Sequence, residues 1–522
     1  MIGVDLGTSG VRAIAFDRRL RVVAQASRSY PVHFAQGGVA EQSVTDVITA
    51  SEACISEAGL HPAVQGRVRG LILCGTASNL ALFQTRKSRR SAASGRAFEP
   101  SGEAWLWADI RAAHEAQLVS QRHSTALYTR TGCPVHASYW PAKLLWWRNH
   151  GVAPWNDRVA APDTIRLAGC KDYLLYRLTG EWVTDRSTAA ATGLFNSQEE
   201  VWDRELLAWL QVEAEWLPRV VPITEQLALQ PGAARRLQLP ADTVVVAGGL
   251  DGVLTHLGMG CVQEGLASCT IGTSSAARMS APQRVTDRLG RTWCYPVVDD
   301  LWLAGGAGNN GGNVLAWFLS ICNELARLAC SQQSGDGASG FSNITAEQVI
   351  TLALESEPGA DGLRFLPYLF GERSPLWRED LTGAFSGLSP VHTAAHLARS
   401  VLEGISLGVR GIYGALVDQL GAPREVRAGG GFVASHPWVQ LQADVFGVPV
   451  AVTATGQETA TGAAMIGWHA IAQIPLDELQ DCIEVTARFE PRPSIHQHYQ
   501  ACFAQMEELR ARLAGPASSR SG

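Results

Sequence analysis

The chain has 522 residues, 46% hydrophobic and 18% charged, with a formal net charge of −6. That length outgrows one simple core and predicts two domains. The slight acidity gives no electrostatic footprint for nucleic acid or an anionic membrane surface, so neither is an expected partner.

Ile2-Gly3-Val4-Asp5-Leu6 is a short apolar run that ends in a Gly-rich turn. Val11 to Phe16 and Arg21 to Ala24 follow as further strands, antiparallel and joined by tight turns. Residues 44–60 have helical periodicity, and 68–74 read as a buried strand. Residues 85–102, rich in Ser, Arg, Lys and Gly, predict a mobile surface loop whose basic run is solvated. Residues 141–147 and 172–178 are helical in pattern. At Thr243 the pattern restarts: a strand to Ala247 leads into Gly248-Gly249-Leu250-Asp251-Gly252. Leu266 to Ile271 is a strand ending in Gly272-Thr273-Ser274-Ser275. Gly7-Thr8-Ser9-Gly10 ends the first strand in the same way, and this internal echo suggests a duplicated architecture. Residues 331–341 read as a Gly/Ser-rich linker, and 514–522 as a disordered tail. No run reaches the ~18 apolar residues of a membrane helix, and the N-terminus does not have the pattern of a signal peptide. Eleven scattered cysteines, without a CxxC pair, read as buried free thiols in a cytoplasmic protein.

The chemistry concentrates at the turns. In Asp5-Leu6-Gly7-Thr8-Ser9-Gly10 a carboxylate ends a strand, glycines let the backbone approach a ligand, and hydroxyls and N–H groups can face phosphate oxygens. The carboxylate suits a hydrated Mg²⁺. A plain hairpin whose Asp caps its own backbone is the other reading. A second such turn at Gly272-Thr273-Ser274 would clamp a triphosphate from the opposite side. Asp251, flanked by glycines, is the candidate general base that takes a hydroxyl proton. It also reads as a helix N-cap before Val253 to Met259. Gly429-Gly430-Gly431 would let a flat nucleobase lie on bare backbone, or is simply a loop.

Three other patterns carry less. Gly306-Ala307-Gly308-Asn309-Asn310-Gly311 fits GxGxxG but lacks a βαβ unit and its acidic partner. Gly404-Ile405-Ser406-Leu407-Gly408 fits the GxSxG hydrolase elbow but lies inside a helical run, 396–417, with no strand before it. No GxxxxGK[ST] loop occurs, so a nucleotide must be held another way.

In order along the chain, these pieces resemble the FGGY carbohydrate kinases of the actin-like ATPase superfamily. The likeness runs from Ile2 to about Gly467. Asp5 to Ser9 is similar to the family's first phosphate loop, and Thr270-Ile271-Gly272-Thr273-Ser274 to its second. Trp107-Ala108-Asp109-Ile110-Arg111 is similar to its W-x-D-x-R sugar-site motif. Gly249-Leu250-Asp251-Gly252 resembles the catalytic-base motif, and Gly429-Gly430-Gly431-Phe432 with Ser435 the adenosine-side motif. Within the family, residues 191–196, 305–312 and 366–377 resemble the bacterial gluconate kinases most. Gly75-Thr76-Ala77-Ser78-Asn79 departs from them: many members carry a Met-His pair there, and ribulose-type kinases a G-T-S-G-T run.

The resemblance implies an α/β fold of two actin-like (ribonuclease H-like) lobes with a cleft between them. Residues 1–246 would bind mainly sugar and 247–513 mainly nucleotide. It implies ATP and Mg²⁺ as cofactors, and a sugar or sugar-acid substrate: gluconate, with a ketopentose as alternative. It is compatible with a homodimer. The implied sugar contacts are Trp107, Asp109, Arg111 and Asp251, and the implied metal contacts are Asp5 and Asp251. The implied nucleotide contacts are Gly7, Thr8, Ser9, Arg12, Gly272, Thr273, Ser274, Gly308, Gly311, Gly430, Gly431 and Ser435. A chaperone ATPase of the same superfamily and a Ser406 hydrolase are the competing classes.

Overall fold

A computed structural model describes residues 1–85, 97–155, 164–333, 343–454 and 456–513. Two mixed sheets organise it. The first has six strands: β1 (Ile2–Leu6), β2 (Gly10–Phe16), β3 (Val22–Ser29), β4 (Gly70–Gly75), β5 (Gln226–Ala228) and β6 (Val244–Leu250). Their order is β5-β6-β4-β1-β2-β3. The second has seven: β7 (Leu266–Ile271), β8 (Ser275–Ala281), β9 (Trp293–Pro296), β10 (Trp302–Gly308), β11 (Glu425–Gly429), β12 (Val450–Thr453) and β13 (Val485–Phe489). Their order is β9-β10-β8-β7-β11-β12-β13.

The two sheets repeat one plan. An antiparallel hairpin, β1–β2 or β7–β8, is extended on its second strand by a further antiparallel strand. On the other side its first strand is continued by two parallel strands, β4 and β6 or β11 and β12. Each sheet ends there on an antiparallel edge. The matching turns seen in the sequence are the two hairpin bends of this duplicated, ribonuclease H/actin-like architecture.

The parallel strands are buried on both faces and read as continuous apolar runs, such as Leu71-Ile72-Leu73. Helix α1 (Val44–Leu60) covers one face of the first sheet with α3 (Cys170–Thr179), while α2 (Trp140–Asn149) packs in a separate core with Leu80 and Leu82. Helix α4 (Asp251–Gly258) leaves β6 directly and begins on the predicted base. In the second lobe lie α5 (Gly312–Gln333), α6 (Ala394–Leu420), α7 (His436–Phe446), α8 (Glu458–Ala472) and α9 (Pro493–Leu513). Helix α6 is long and apolar enough to cross a membrane by length and composition alone, but most of that stretch is buried in the second core.

Helices α4 and α8 cross between the sheets and share a core with Ile14, Ile72 and Val246 of the first. The crossing is backbone to backbone. A Cβ on Gly258 would sit 1.8 Å from the Glu458 carbonyl oxygen, and one on Gly462 1.8 Å from that of Leu254. Only glycine permits this approach. The base-bearing helix is therefore wedged at the junction of the lobes.

Some expectations change. Thr85 ends a strand, Ala81–Thr85, and Phe98–Pro100 pairs back onto it, so the ends of the expected 85–102 loop are ordered by a β ladder. Its basic run lies outside the described residues. Ser331 to Gln333 continue α5 rather than opening a linker; the rest of that linker falls outside the described residues, as does the whole expected tail. Among the described residues the cysteines form no disulfide and are mostly buried, but Cys330 and Cys482 are exposed.

Candidate active site

The first bend closes by a hydrogen bond from the Gly7 N–H to the Gly10 carbonyl at 2.9 Å. The Tyr30 hydroxyl pins it from below, donating to the carbonyls of Gly7 at 2.6 Å and Gly10 at 3.1 Å. Ser9 is exposed and Thr8 half-buried. Asp5 stands at the end of β1, directly opposite Arg12 on β2. An open groove of about 960 Å³ passes along this bend, lined by Asp5, Thr8, Arg12 and Tyr30 among others.

The second bend, residues 272–274, is built against two other elements. The N–H groups of Gly312 and Asn313, at the start of α5, donate to the carbonyls of Gly272 and Thr273 at 2.7 and 3.1 Å. Gly311 sits so close that a Cβ there would be 2.7 Å from the Ser274 carbonyl. Gly430, with φ +87°, presses on the other side, 2.7 Å from the Ile271 carbonyl oxygen by the same measure. Glycine is required there for both its torsion and its size. Gly431 begins a short 3₁₀ turn, and Ser435 caps α7 through the Trp438 N–H at 3.4 Å. Gly308 backs onto Ser275 and Glu372. Gly308, Gly311 and Gly430 thus pack around the second bend or the strand that leaves it, while Ser435 lies at the start of a separate helix, α7.

Asp251 is the first residue of α4, and Leu250 holds the cap position. The N-cap reading is therefore corrected: the helix starts two residues earlier than its apolar periodicity suggests. The Asp251 Oδ1 accepts from the N–H of Gly252 at 2.7 Å. Burial raises its pKa above the usual carboxylate range, while that hydrogen bond and the charges of Arg278 and Arg373 oppose the rise. Asp5 is pushed up to about 6, first by burial and then by the charge of Asp251. The two carboxylates are therefore close enough to feel each other.

Trp107 joins the parts. Its Nε1–H donates to the Thr8 hydroxyl at 3.1 Å, and its ring lies under the Arg373 guanidinium at 4.6 Å. It is half-exposed rather than core. Asp109 is different. It is 0% exposed, and its oxygens accept from the Ala40 N–H at 2.9 Å and from Arg111. The direct sugar contact expected of Asp109 does not fit this burial; the residue orients Arg111 instead. Arg111 donates to both Asp109 and Glu41 and stacks on Trp105 with 3.5 Å to the ring centre, so its fork is already occupied. The Asp109–Arg111 ion pair is largely buried, not a surface salt bridge.

Several residues at the site had no assigned role in the sequence. Arg373 donates to the Asn309 Oδ1 at 2.8 Å and to the Gly308 carbonyl at 3.3 Å. Glu372 accepts from the N–H groups of Asn309 and Arg373 and from the Asn310 amide at 2.6, 3.0 and 3.1 Å. Burial lifts Glu372 to about 7. Lys143, fully buried, donates to the carbonyls of Ser78 and Leu106 at 2.9 and 2.7 Å and so staples the Gly75–Asn79 segment to the Trp107 segment. The signal for Glu372 and Arg373 was a charged pair after a glycine beside an apolar run. Ser406 is buried in α6 and accepts from the Trp438 indole at 3.1 Å, which leaves no exposed nucleophile for the hydrolase reading.

The N-terminal domain model of the FGGY family of carbohydrate kinases matches residues 1–258, and its C-terminal domain model matches residues 267–471. The gluconokinase of Bacillus subtilis is 31% identical over 94% of this chain and 91% of its own. The xylulose kinase of Staphylococcus epidermidis (strain ATCC 35984) is 27% identical over 98% of this chain and 96% of its own. The crystal structure of gluconate kinase from Lactobacillus acidophilus superposes with a TM-score of 0.87 at 27% identity, covering 98% of both chains. A ligand-bound xylulose kinase from the same organism gives a TM-score of 0.87 at 28% identity, with the same coverage. Domain models that together span both lobes of the duplicated fold place the chain in the FGGY family of carbohydrate kinases, and it is a phosphotransferase acting on a small-molecule sugar.

Proposed function

We propose that this kinase transfers the terminal phosphoryl group of ATP to gluconate, giving 6-phosphogluconate. The likeness to gluconokinases over nearly the whole chain supports the substrate. The observation that carries the chemistry is the closeness of Asp5 at the first bend to Asp251 at the start of α4, with Trp107 bonded to Thr8 of the same bend. In this reading the first lobe holds mainly the sugar and the second mainly the nucleotide. A ketopentose remains the second reading, because the xylulose kinase fold matches equally well.

The step balances as follows. The sugar hydroxyl oxygen forms a bond to the γ-phosphorus. The bond from that phosphorus to the bridging oxygen breaks, and its electron pair leaves on ADP. The hydroxyl proton passes to Asp251, whose raised pKa brings it nearer to neutral pH as an acceptor. Trp107 offers an apolar face to sugar carbons, and its bond to Thr8 fixes the first phosphate bend relative to that face. The N–H and hydroxyl groups of Thr8, Ser9, Thr273 and Ser274 hold phosphate oxygens, so the rate comes mainly from positioning and charge neutralisation.

Asp5 and Asp251 fit a hydrated Mg²⁺: this ion takes one or two protein carboxylates plus phosphate oxygens. Among the described residues no group of three or more His, Cys, Asp or Glu suited to a metal occurs, which accords with such a sparse protein donor set. Bound there, the ion would neutralise phosphate charge.

A coupled ADP-release assay over gluconate, xylulose, ribulose and glycerol tests the reading. The expected result is the highest kcat/KM on gluconate. A higher value on a ketopentose would replace the substrate, and no ADP release with any sugar would remove the function.

A further inference from the structure

Each hairpin brings one arginine to the lobe junction on its second strand. In the first, Arg12 lies opposite Asp5. In the second, Arg278 lies opposite Ser268 and so shares a face with Thr270, one diagonal step away. Arg12 was expected at the phosphates; Arg278 belongs to no motif in the sequence.

Its surroundings are unusual for an arginine. One amine donates to the Thr270 hydroxyl at 3.3 Å. The Nε atom is buried and has no hydrogen-bond partner. Among the described residues no carboxylate lies within ion-pair distance of it. The guanidinium rests against Gly252: a Cβ there would sit 3.3 Å from Nε and 3.7 Å from one amine. Gly252 is also the residue whose N–H holds Asp251. A desolvated cation with an unused donor is costly unless an anion completes it. Beside the base and just behind the second bend, the anion of the right chemistry is the phosphoryl group in transfer.

We propose that Arg278 is a catalytic residue of the second lobe that contacts the equatorial oxygens of the transferring phosphoryl group. This rests on the phosphoryl-transfer reading above. Those oxygens carry negative charge throughout the step, while the proton moves to Asp251 and the electron pair to ADP. Nε–H and a free amine N–H of Arg278 are the donors left to meet them. The planar fork matches a phosphate better than a point charge does.

The test compares binding of ATP and ADP with turnover. In Arg278→Met, kcat falls by about 10²- to 10³-fold, as for loss of one charge-stabilising donor. The ratio of ATP to ADP affinity falls toward one, while gluconate KM changes little. Arg278→Lys recovers part of both. If Arg278 only supported Asp251, the ATP to ADP affinity ratio would stay at the wild-type value, and that result overturns the proposal. If Arg278→Met does not fold, Arg278→Lys decides alone: a reduced ratio with reduced kcat supports the role, and a wild-type ratio overturns it. Wild-type protein run alongside separates the two ideas. No sugar-dependent ADP release by wild type would remove the kinase reading itself, whereas normal wild-type turnover with an indifferent Arg278→Met removes only Arg278.

Discussion

The guanidinium of Arg373 lies 4.6 Å from the centre of the Trp107 ring, and through this contact the second lobe touches the first. Arg373 also holds the loop before α5 through Asn309, and Trp107 holds the first bend through Thr8. One cation–aromatic pair thus links the supports of both bends. Arg373→Met should lower kcat/KM by about 10- to 100-fold, the loss of a charged hydrogen bond plus a cation–π contact. A double-mutant cycle with Trp107→Leu should give a coupling of about 0.5–2 kcal/mol. Additive effects of the two substitutions would deny the link.

Asp251→Asn should reduce kcat by about 10²- to 10⁴-fold with ATP affinity retained. The amide keeps the shape and the Gly252 contact through its carbonyl oxygen but cannot take a proton. Turnover within about threefold of wild type would remove Asp251 as the base.

Asp5 predicts opposite effects on activity and stability. Its pKa is raised from 3.8 to about 6 in the folded state, so its charge is a cost of folding that is absent below 3.8, builds as pH rises from there and is complete above about 6. Asp5→Asn should therefore raise Tm at neutral pH, with no gain below pH ~3.8. The same substitution should raise the Mg²⁺ concentration needed for half-maximal activity. A lowered Tm at pH 7 would contradict the assigned cost. In the wild type, activity at limiting Mg²⁺ should fall as pH drops through about 6, and added Mg²⁺ should move that fall to lower pH.

The bends, their strands and the aspartate after β6 were legible in the sequence because they are local. An apolar run followed by Gly-Thr-Ser states its own turn, and a glycine-flanked Asp states its own access. The duplicated sheet order could be suspected only from that echo. Asp109 could not be judged from its motif, because the backbone N–H that occupies it belongs to Ala40, 69 positions upstream. The same holds for Arg373 and Arg278, whose roles arise when the two lobes meet. The start of α4 was misplaced because Asp251 and Gly252 are not apolar, so periodicity does not include them.

Glu372 gathers two backbone N–H groups and the Asn310 amide around one buried carboxyl. Glu372→Ala should leave them unpaired at about 1–3 kcal/mol for each buried group left unmet. Thermal unfolding should show a clear loss of Tm, and calorimetry a weaker ATP affinity, because the Gly308–Asn310 loop supports the second bend. Glu372→Gln keeps an acceptor and should lose much less. Equal losses in both variants would show that the carboxyl does not organise this loop.

The most direct test is a crystal structure with gluconate and a nonhydrolysable ATP analogue. The account predicts a phosphate chain in contact with residues 7–9 on one side and 272–274 on the other, with the terminal group nearest Asp251. Phosphates bound away from both bends, or a sugar hydroxyl out of reach of Asp251, would contradict it.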